Sequence, residues 1–370
     1  MKFIVDGLDF SEALLKVSKA IGSKNVTPIL EGIKISAKED TLTLFATDLE
    51  LAIEKKIKAN VLEEGVAVVP GRLFGELIRK LEDEQIEITL NEKNKMKIRY
   101  TDSEGYVQCF ALEDYPEPER FEKKDGFRIL QLELRNAINK TLFAASSDSA
   151  RPMLNGCLFQ VSGYEMKTVA LDGYRLAIET QPLESKSPDL RTVVPTRSLN
   201  ELTKLLNDDE NVVSLYLEKN YLLVDMGDTV LQTRVLVGEY LNYEQLIPKD
   251  FSTVVTVNRT QFENALDRAN IMAKDEKRNN LIQFEMKENV LTMLSNSDQG
   301  SISEKMSISL EGKDLTIAFN ARFLMENIRV IEDSFIQMSF TSSVAPCIIT
   351  PCDKTQNEQY LYMILPVRMV

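Results

Sequence analysis

Three arginines stand at even intervals in this chain of 370 residues: Arg72, Arg197 and Arg322, each 125 residues from the next. Each lies two residues past a Pro or Asn that opens a helix: Pro70, Pro195 and Asn320. A guanidinium group is a permanently charged, planar donor suited to phosphate and carboxylate oxygens. A like charge at one structural position in three copies forms a ring of charge if the copies are arranged about an axis. The same residues also read as solvated first-turn arginines carried along by duplication, and position alone does not decide.

A second concentration of unusual surface chemistry is residues 151–177, RPMLNGCLFQVSGYEMKTVALDGYRLA. Arg151 and Arg175 here, with Arg368 near the C-terminus, border apolar runs and could hold backbone carbonyls or carboxylates at a rim. Gly173 permits close backbone approach. Asp48 and Asp172 share a repeat position, but no partner base, nucleophile or metal cluster accompanies them, so a turn or cap role is expected. Histidine is absent. That excludes Ser-His-Asp and Cys-His catalysis and histidine-containing zinc sites. The cysteines, Cys109, Cys157, Cys347 and Cys352, form no Cys-x-x-Cys pair and read as structural thiols. No metal, no cofactor and no catalytic residue is expected.

The elements that position these groups are written three times. Pro28-Ile29-Leu30-Glu31-Gly32 answers Pro152-Met153-Leu154-Asn155-Gly156, and Leu51-Ala52-Ile53-Glu54 answers Leu176-Ala177-Ile178-Glu179. Self-similarity at a long period signals a repeated architecture. In the first copy a helix stripe runs Phe10, Leu14, Val17, Ile21, with Asp9 and Glu12 as cap signal and Gly22 as its end. Alternating strands follow, then a second helix after Pro70-Gly71-Arg72 with Leu73, Leu77, Ile78 and Leu81 on its stripe, then strands near 86–88, 96–98 and 106–111. The second copy repeats this, with Leu134, Ile138 and Ala145 on its first helix. The third carries Phe262, Leu266 and Ala269, then Phe323, Leu324 and Ile328. Residues 115–126 and 239–249 read as linkers. The expected domains are 1–123, 124–250 and 251–370, each with two helices packed on antiparallel sheets, an α+β fold.

The net charge of −13 argues in bulk against a nucleic-acid partner unless the basic residues are segregated on one surface. No apolar run reaches transmembrane length and the start lacks a signal-peptide core, so a cytoplasmic protein with no membrane partner is expected.

Three two-helix copies without histidine, together with four ordered motifs, resemble the bacterial DNA polymerase III beta subunit, or sliding clamp, family. The motifs are Met1-Lys2-Phe3; Thr27-Pro28-Ile29-Leu30 with Ala46-Thr47-Asp48-Leu49-Glu50; Leu154-Asn155-Gly156 with Asp172-Gly173-Tyr174-Arg175-Leu176; and Leu365-Pro366-Val367-Arg368. The resemblance implies three repeated DNA-clamp domains in a head-to-tail homodimeric ring, with helices around a central hole. Its implied role is a non-enzymatic processivity factor that encircles double-stranded DNA through phosphate contacts, without sequence preference. Lys24 and Arg197 match DNA-facing positions of the family; Arg72 and Arg322 join them by the internal repeat.

The resemblance further implies a cleft that takes an extended peptide with apolar anchors. Its expected walls are Arg151, Leu154, Thr168, Gly173, Tyr174, Arg175, Leu176, Leu246, Pro346, Met363, Leu365, Pro366, Val367 and Arg368. Implied partners are the replicative DNA polymerase alpha subunit, the clamp loader and other proteins with clamp-binding motifs. Tyr106 and Phe110 are expected to face Ile271 and Met272 across the subunit interface. The chain departs from the family's aromatic-Pro-x-Tyr run with Tyr240-Leu241-Asn242-Tyr243, which implies a differently shaped cleft wall. The alternative is a monomeric peptide-binding scaffold that never encircles DNA.

Overall fold

A computed structural model describes residues 1–22, 27–81, 85–118, 121–207, 209–273, 280–298, 300–353 and 359–368. The described chain falls into two compact units, Met1–Gln131 with Asn200–Val235, and Leu132–Leu199 with Leu236–Val370. The described helices are α1 (Gly7–Ser18), α2 (Gly71–Ile78), α3 (Gln131–Asn139), α4 (Thr196–Thr203), α5 (Arg259–Ala273) and α6 (Ala321–Ile328).

In the first unit, α1 buries Phe10, Ala13, Leu14 and Val17, a stripe at helical spacing. Its cap is Asp6, not Asp9: the Asp6 carboxylate accepts from the N–H of Leu8 at 3.0 Å and of Asp9 at 3.1 Å. Asp6 ends strand Lys2–Asp6 in extended geometry, the conformation an N-cap needs. α2 buries Phe74 and Ile78, and Leu81 just beyond it is buried too, as expected; Leu73 is instead 60% exposed, and Phe74 takes its place. The Phe74 ring meets Phe10 edge-to-face at 5.8 Å, and Phe10 in turn meets Phe3 edge-to-face at 6.0 Å.

Two antiparallel sheets back these helices. One has the order Asn60–Glu63, Lys2–Asp6, Gln85–Leu90, Lys95–Tyr100, Ser103–Gln108. The other runs Phe127–Leu130, Val212–Glu218, Tyr221–Asp225, Thr229–Arg234, Leu51–Lys58, Thr41–Thr47, Gly32–Lys38, Gly65–Pro70. In it, Thr229–Arg234 of the second copy pairs with Leu51–Lys58 of the first, with Leu231 opposite Ile53. The 115–126 segment is not simply a spacer. Tyr115 is buried, and its hydroxyl donates to the Gly32 carbonyl at 2.9 Å.

The second unit repeats the join. Its larger sheet has the order Gly156–Leu171, Arg175–Pro195, Tyr360–Ile364, Cys347–Pro351, Phe335–Phe340, Thr253–Asn258, Ser309–Gly312. Here Tyr360–Ile364 of the third copy pairs with Arg175–Pro195 of the second, with Leu361 opposite Ile178. The smaller sheet runs Gly300–Ser307, Val290–Ser297, Leu281–Lys287, Leu315–Asn320. α5 packs on Val290–Ser297 and Gly300–Ser307. α3 ends at Asn139, short of the expected Ala145, and a 3-10 turn Leu142–Ala144 follows.

Two strands therefore lie at sheet ends in homologous places. Ser103–Gln108 of the first copy stands where Thr229–Arg234 and Tyr360–Ile364 stand in their copies. Gly300–Ser307 of the third stands where Leu51–Lys58 and Arg175–Pro195 stand. No described strand covers the outer edge of either. No helix among the described residues is long and apolar enough to cross a membrane.

Candidate peptide-binding cleft and cationic helix starts

Side-chain parity decides the cleft. Along Gly156–Leu171 and Arg175–Pro195, Val169 lies opposite Ile178 and Leu171 opposite Leu176. Successive residues of a strand face opposite sides. Val169, Leu171, Leu176 and Ile178 therefore share one face, where they join Leu154, Leu158, Val193, Tyr240, Tyr243, Ile348 and Met363 in one apolar cluster. Thr168, opposite Glu179, falls on the other face, away from this cluster. Leu171 takes the place expected of Thr168.

Of the expected cleft walls, Leu154, Leu176 and Met363 are buried as its candidate floor, each under 9% exposed. The lips are exposed: Tyr174 at 63%, Leu246 at 42% and Leu365 at 38%. Pro346, Pro366 and Val367 are half-buried, while Gly173, Arg151 and Arg368 are exposed. The C-terminal segment is stitched down by two backbone bonds. Leu365 N–H donates to the Tyr174 carbonyl at 2.9 Å and Val367 N–H to the Ala318 carbonyl at 2.8 Å. Gly173 is required where it is: its φ is +95°, and a Cβ there would stand 3.0 Å from the Arg151 guanidinium.

Beside the floor, Arg151, Pro152, Met153, Leu154, Glu239, Tyr240, Leu241 and Asn242 line an open cavity of about 620 Å³. The 239–249 stretch, read from sequence as a linker, thus supplies a wall. Tyr240 and Tyr243 are buried in the apolar cluster, Tyr240 donating to the Val169 carbonyl at 3.3 Å. Burial pushes both phenol pKa values up. Leu241 lies in the Tyr240–Tyr243 run whose departure pointed to this wall, while Met153 and Leu171 were not among the expected walls.

Arg175 is not a rim group. Its side chain is 6% exposed and lies between the rings of Phe143 and Phe323, at 5.5 and 4.3 Å. Its Nε donates to Asp172 at 3.0 Å, one terminal nitrogen to Glu326 and the other to the Phe143 carbonyl. Burial opposes its charge, but Tyr362, Glu326 and Asp172 outweigh that and raise its pKa. A guanidinium can be buried when carboxylates and ring faces satisfy it. Asp172 also caps the turn, accepting from the N–H of Tyr174 at 2.8 Å, a structural role as expected for it. On the opposite face, the Glu179 carboxyl accepts from Lys140 at 2.8 Å, and burial raises its pKa.

Arg72, Arg197 and Arg322 each occupy the second residue of a helix, and each is exposed. Arg72 donates to the Gly22 carbonyl at 3.3 Å, and Arg322 pairs with Glu326 at 2.9 Å. Lys24 lies outside the described residues. Of the interface candidates, Tyr106 sits exposed on edge strand Ser103–Gln108 and Ile271 is 60% exposed on α5. Met272 is half-buried, its sulfur 3.7 Å from a Cβ built at Gly300 on the other edge strand. Phe110 has left the edge. Its backbone bridges Val68, and its ring packs on the Phe45–Tyr115 cluster. Burial pushes the Cys109 thiol up to about 11 and the Cys157 thiol to about 12, so both are inert structural thiols. The described residues hold no group of three or more potential metal ligands.

Three family models match the chain in order, described as the N-terminal, central and C-terminal domains of the DNA polymerase III beta subunit. They cover residues 1–119, 128–242 and 244–368. The beta sliding clamps of Staphylococcus epidermidis and Halalkalibacterium halodurans are each 29% identical to it. They span 100% of this chain and 99% and 100% of their own length. The crystal structure of the DNA polymerase sliding clamp from Bacillus subtilis superposes with a TM-score of 0.96 at 29% identity, covering 100% of both chains. The beta subunit from DNA polymerase of Streptococcus pyogenes gives 0.95 at 27% identity, again covering both chains fully.

Proposed function

The chain belongs to the DNA polymerase III beta subunit family along its whole length, and from that membership we infer how its geometry serves a DNA sliding clamp. It is a non-catalytic processivity subunit of replication. We read its domains as 1–123, 124–250 and 251–370, closing with a second copy into a head-to-tail ring around duplex DNA.

The observation that carries the ring is the pair of open edges. Twice within the chain, the last strand of one copy joins the Leu51- or Leu176-bearing strand of the copy before it. The first copy has its last strand, Ser103–Gln108, without such a partner, and the third copy has the acceptor, Gly300–Ser307. An exposed strand edge is a template for pairing with another chain. A second copy supplies each edge with the partner it lacks, in the join the chain already makes twice. The head-to-tail arrangement follows, because the two edges differ. Tyr106 on one side and Ile271 and Met272 beside the other supply the apolar contacts.

Sliding requires phosphate contacts and tolerates no base-specific ones, since a base contact pins the ring to one sequence. Arg72, Arg197, Arg322 and Lys24 are proposed to supply them, while the excess acid lies elsewhere. The cleft is proposed to take the extended segment of the replicative polymerase alpha subunit, and in turn of the clamp loader and other clamp-binding proteins. Buried aliphatic floor and exposed aromatic and aliphatic lips suit apolar anchors. Exposed Arg151 and Arg368 suit carbonyls and carboxylates of the peptide. The cytoplasm is the proposed compartment. Sedimentation of the intact chain tests the ring: a species of twice the 42.0 kDa chain mass supports it, and a monomer at micromolar concentration favours the peptide-binding scaffold instead.

A further inference from the structure

Glu326 carries two arginines. Its Oε2 meets the buried Arg175, and its Oε1 accepts from Nε of the exposed Arg322 at 2.9 Å. From Arg175 the line continues through Asp172 Oδ2 at 3.0 Å, and Asp172 Oδ1 accepts from Tyr174 N–H at 2.8 Å. The Tyr174 carbonyl then accepts from Leu365 N–H at 2.9 Å. A single run of hydrogen bonds thus joins a solvent-exposed cation on α6 to both lips of the cleft.

We propose that Glu326 is a positioning residue which couples the two proposed ligand faces, so that an anion taken by Arg322 tightens the peptide cleft. This rests on the reading of the cleft and of the cationic helix starts given above. One carboxylate is shared by two guanidinium groups in unequal surroundings. The Arg322 side chain is 70% exposed, so it can turn to a phosphate oxygen at little cost. Arg175 cannot turn, being held between two rings and a carbonyl. When Arg322 engages a phosphate, the whole Glu326 charge falls to Arg175, in a poorly solvated site where charge-assisted bonds are strong. The Asp172–Tyr174 turn is then more rigidly set, and a peptide binding there has less ordering left to impose. Linkage makes the effect reciprocal: peptide tightens the hold on the polyanion by the same factor.

The test measures affinity of the intact protein for a fluorescent clamp-binding peptide of a polymerase alpha subunit, with and without a short linear duplex that can thread the ring. Wild type is expected to bind peptide about fivefold more tightly with duplex. Arg322→Ala is expected to bind peptide as tightly without duplex as wild type does with it, and to show no further response. Glu326→Gln is expected to bind weakly and without response. A purely structural Glu326 predicts no gain in Arg322→Ala. An unresponsive wild type, or an Arg322→Ala variant that starts and responds as wild type does, overturns the link. Leu365→Asp and direct duplex titration separate its failure from failure of its premises. Peptide binding unmoved by Leu365→Asp removes the cleft, and absent duplex binding removes the cationic face; either also overturns the link.

Discussion

Leu176 and Met363 face one another across the antiparallel join between Arg175–Pro195 and Tyr360–Ile364, one 0% and the other 5% exposed. The proposed floor of the cleft is therefore also part of the seam that holds the second and third copies together. Removing atoms from it acts on folding as well as on binding. Leu176→Ala is expected to cost about 2–5 kcal/mol of stability, through lost burial and the cavity left behind. Denaturant unfolding checks this; a loss under about 0.5 kcal/mol would show that Leu176 is not sealed under the lips.

Leu365 separates the two effects. It is 38% exposed, and its backbone bond to Tyr174 is one that a side-chain change leaves in place. Leu365→Asp is expected to leave stability within about 0.5 kcal/mol of wild type. Peptide affinity is expected to fall by about tenfold or more, as for an apolar anchor site given a charge. Equal affinity in a peptide titration would remove Leu365 from the cleft.

Much of this arrangement was readable from residues alone. The period near 125 and the paired helices follow from spacing, and the resemblance named Leu154 and Leu176, which share one apolar cluster. What was not readable depended on facts that spacing does not contain. Thr168 and Leu171 differ only in strand parity, which the pairing with Glu179 and Leu176 fixes. Arg175 looked like a rim residue because its neutralisers, Asp172 and Glu326, include one 151 positions away. Tyr115, Tyr240 and Tyr243 sit in stretches with linker composition but bury their rings. The third copy's edge strand Gly300–Ser307 went unseen because Gly-Ser-Ile-Ser carries nothing like the Leu-Ala-Ile-Glu of the other two.

That edge gives a prediction about assembly. Ile271 lies near the end of α5, which packs on Gly300–Ser307, and a side chain 60% exposed can be changed without opening the core. Ile271→Asp is expected to leave the melting temperature nearly unchanged while shifting the sedimenting species from dimer to monomer, by setting a charge in an apolar contact. Retention of the dimer would place the interface elsewhere.

Arg197 gives one about sliding. Removing a cation that touches one phosphate is expected to lower the slope of log affinity against log salt by about one, with little change between DNA sequences. Arg197→Glu is therefore expected to weaken duplex binding uniformly and flatten its salt response, while peptide affinity stays as it was. An unaltered slope would take Arg197 off the DNA-facing surface.

Asp333 allows a test by pH. Its carboxylate accepts from the N–H of Asp353 at 2.6 Å, Cys352 at 2.8 Å and Phe335 at 3.3 Å, at the end where strands Phe335–Phe340 and Cys347–Pro351 meet. Partial burial raises its pKa, but these N–H donors outweigh it, and the net shift is downward from 3.8. A group depressed in the folded state stabilises it above the unfolded pKa and ceases to as pH falls through the folded one. Asp333→Ala is expected to be less stable than wild type at neutral pH, by about 1 kcal/mol as for other side-chain caps. The gap is expected to narrow only below about pH 4, where the wild-type carboxylate begins to take up its proton. Unfolding curves of both proteins over that range decide it. A gap that persists undiminished in strong acid would mean that Asp333 acts through packing, not through its charge on these three N–H groups.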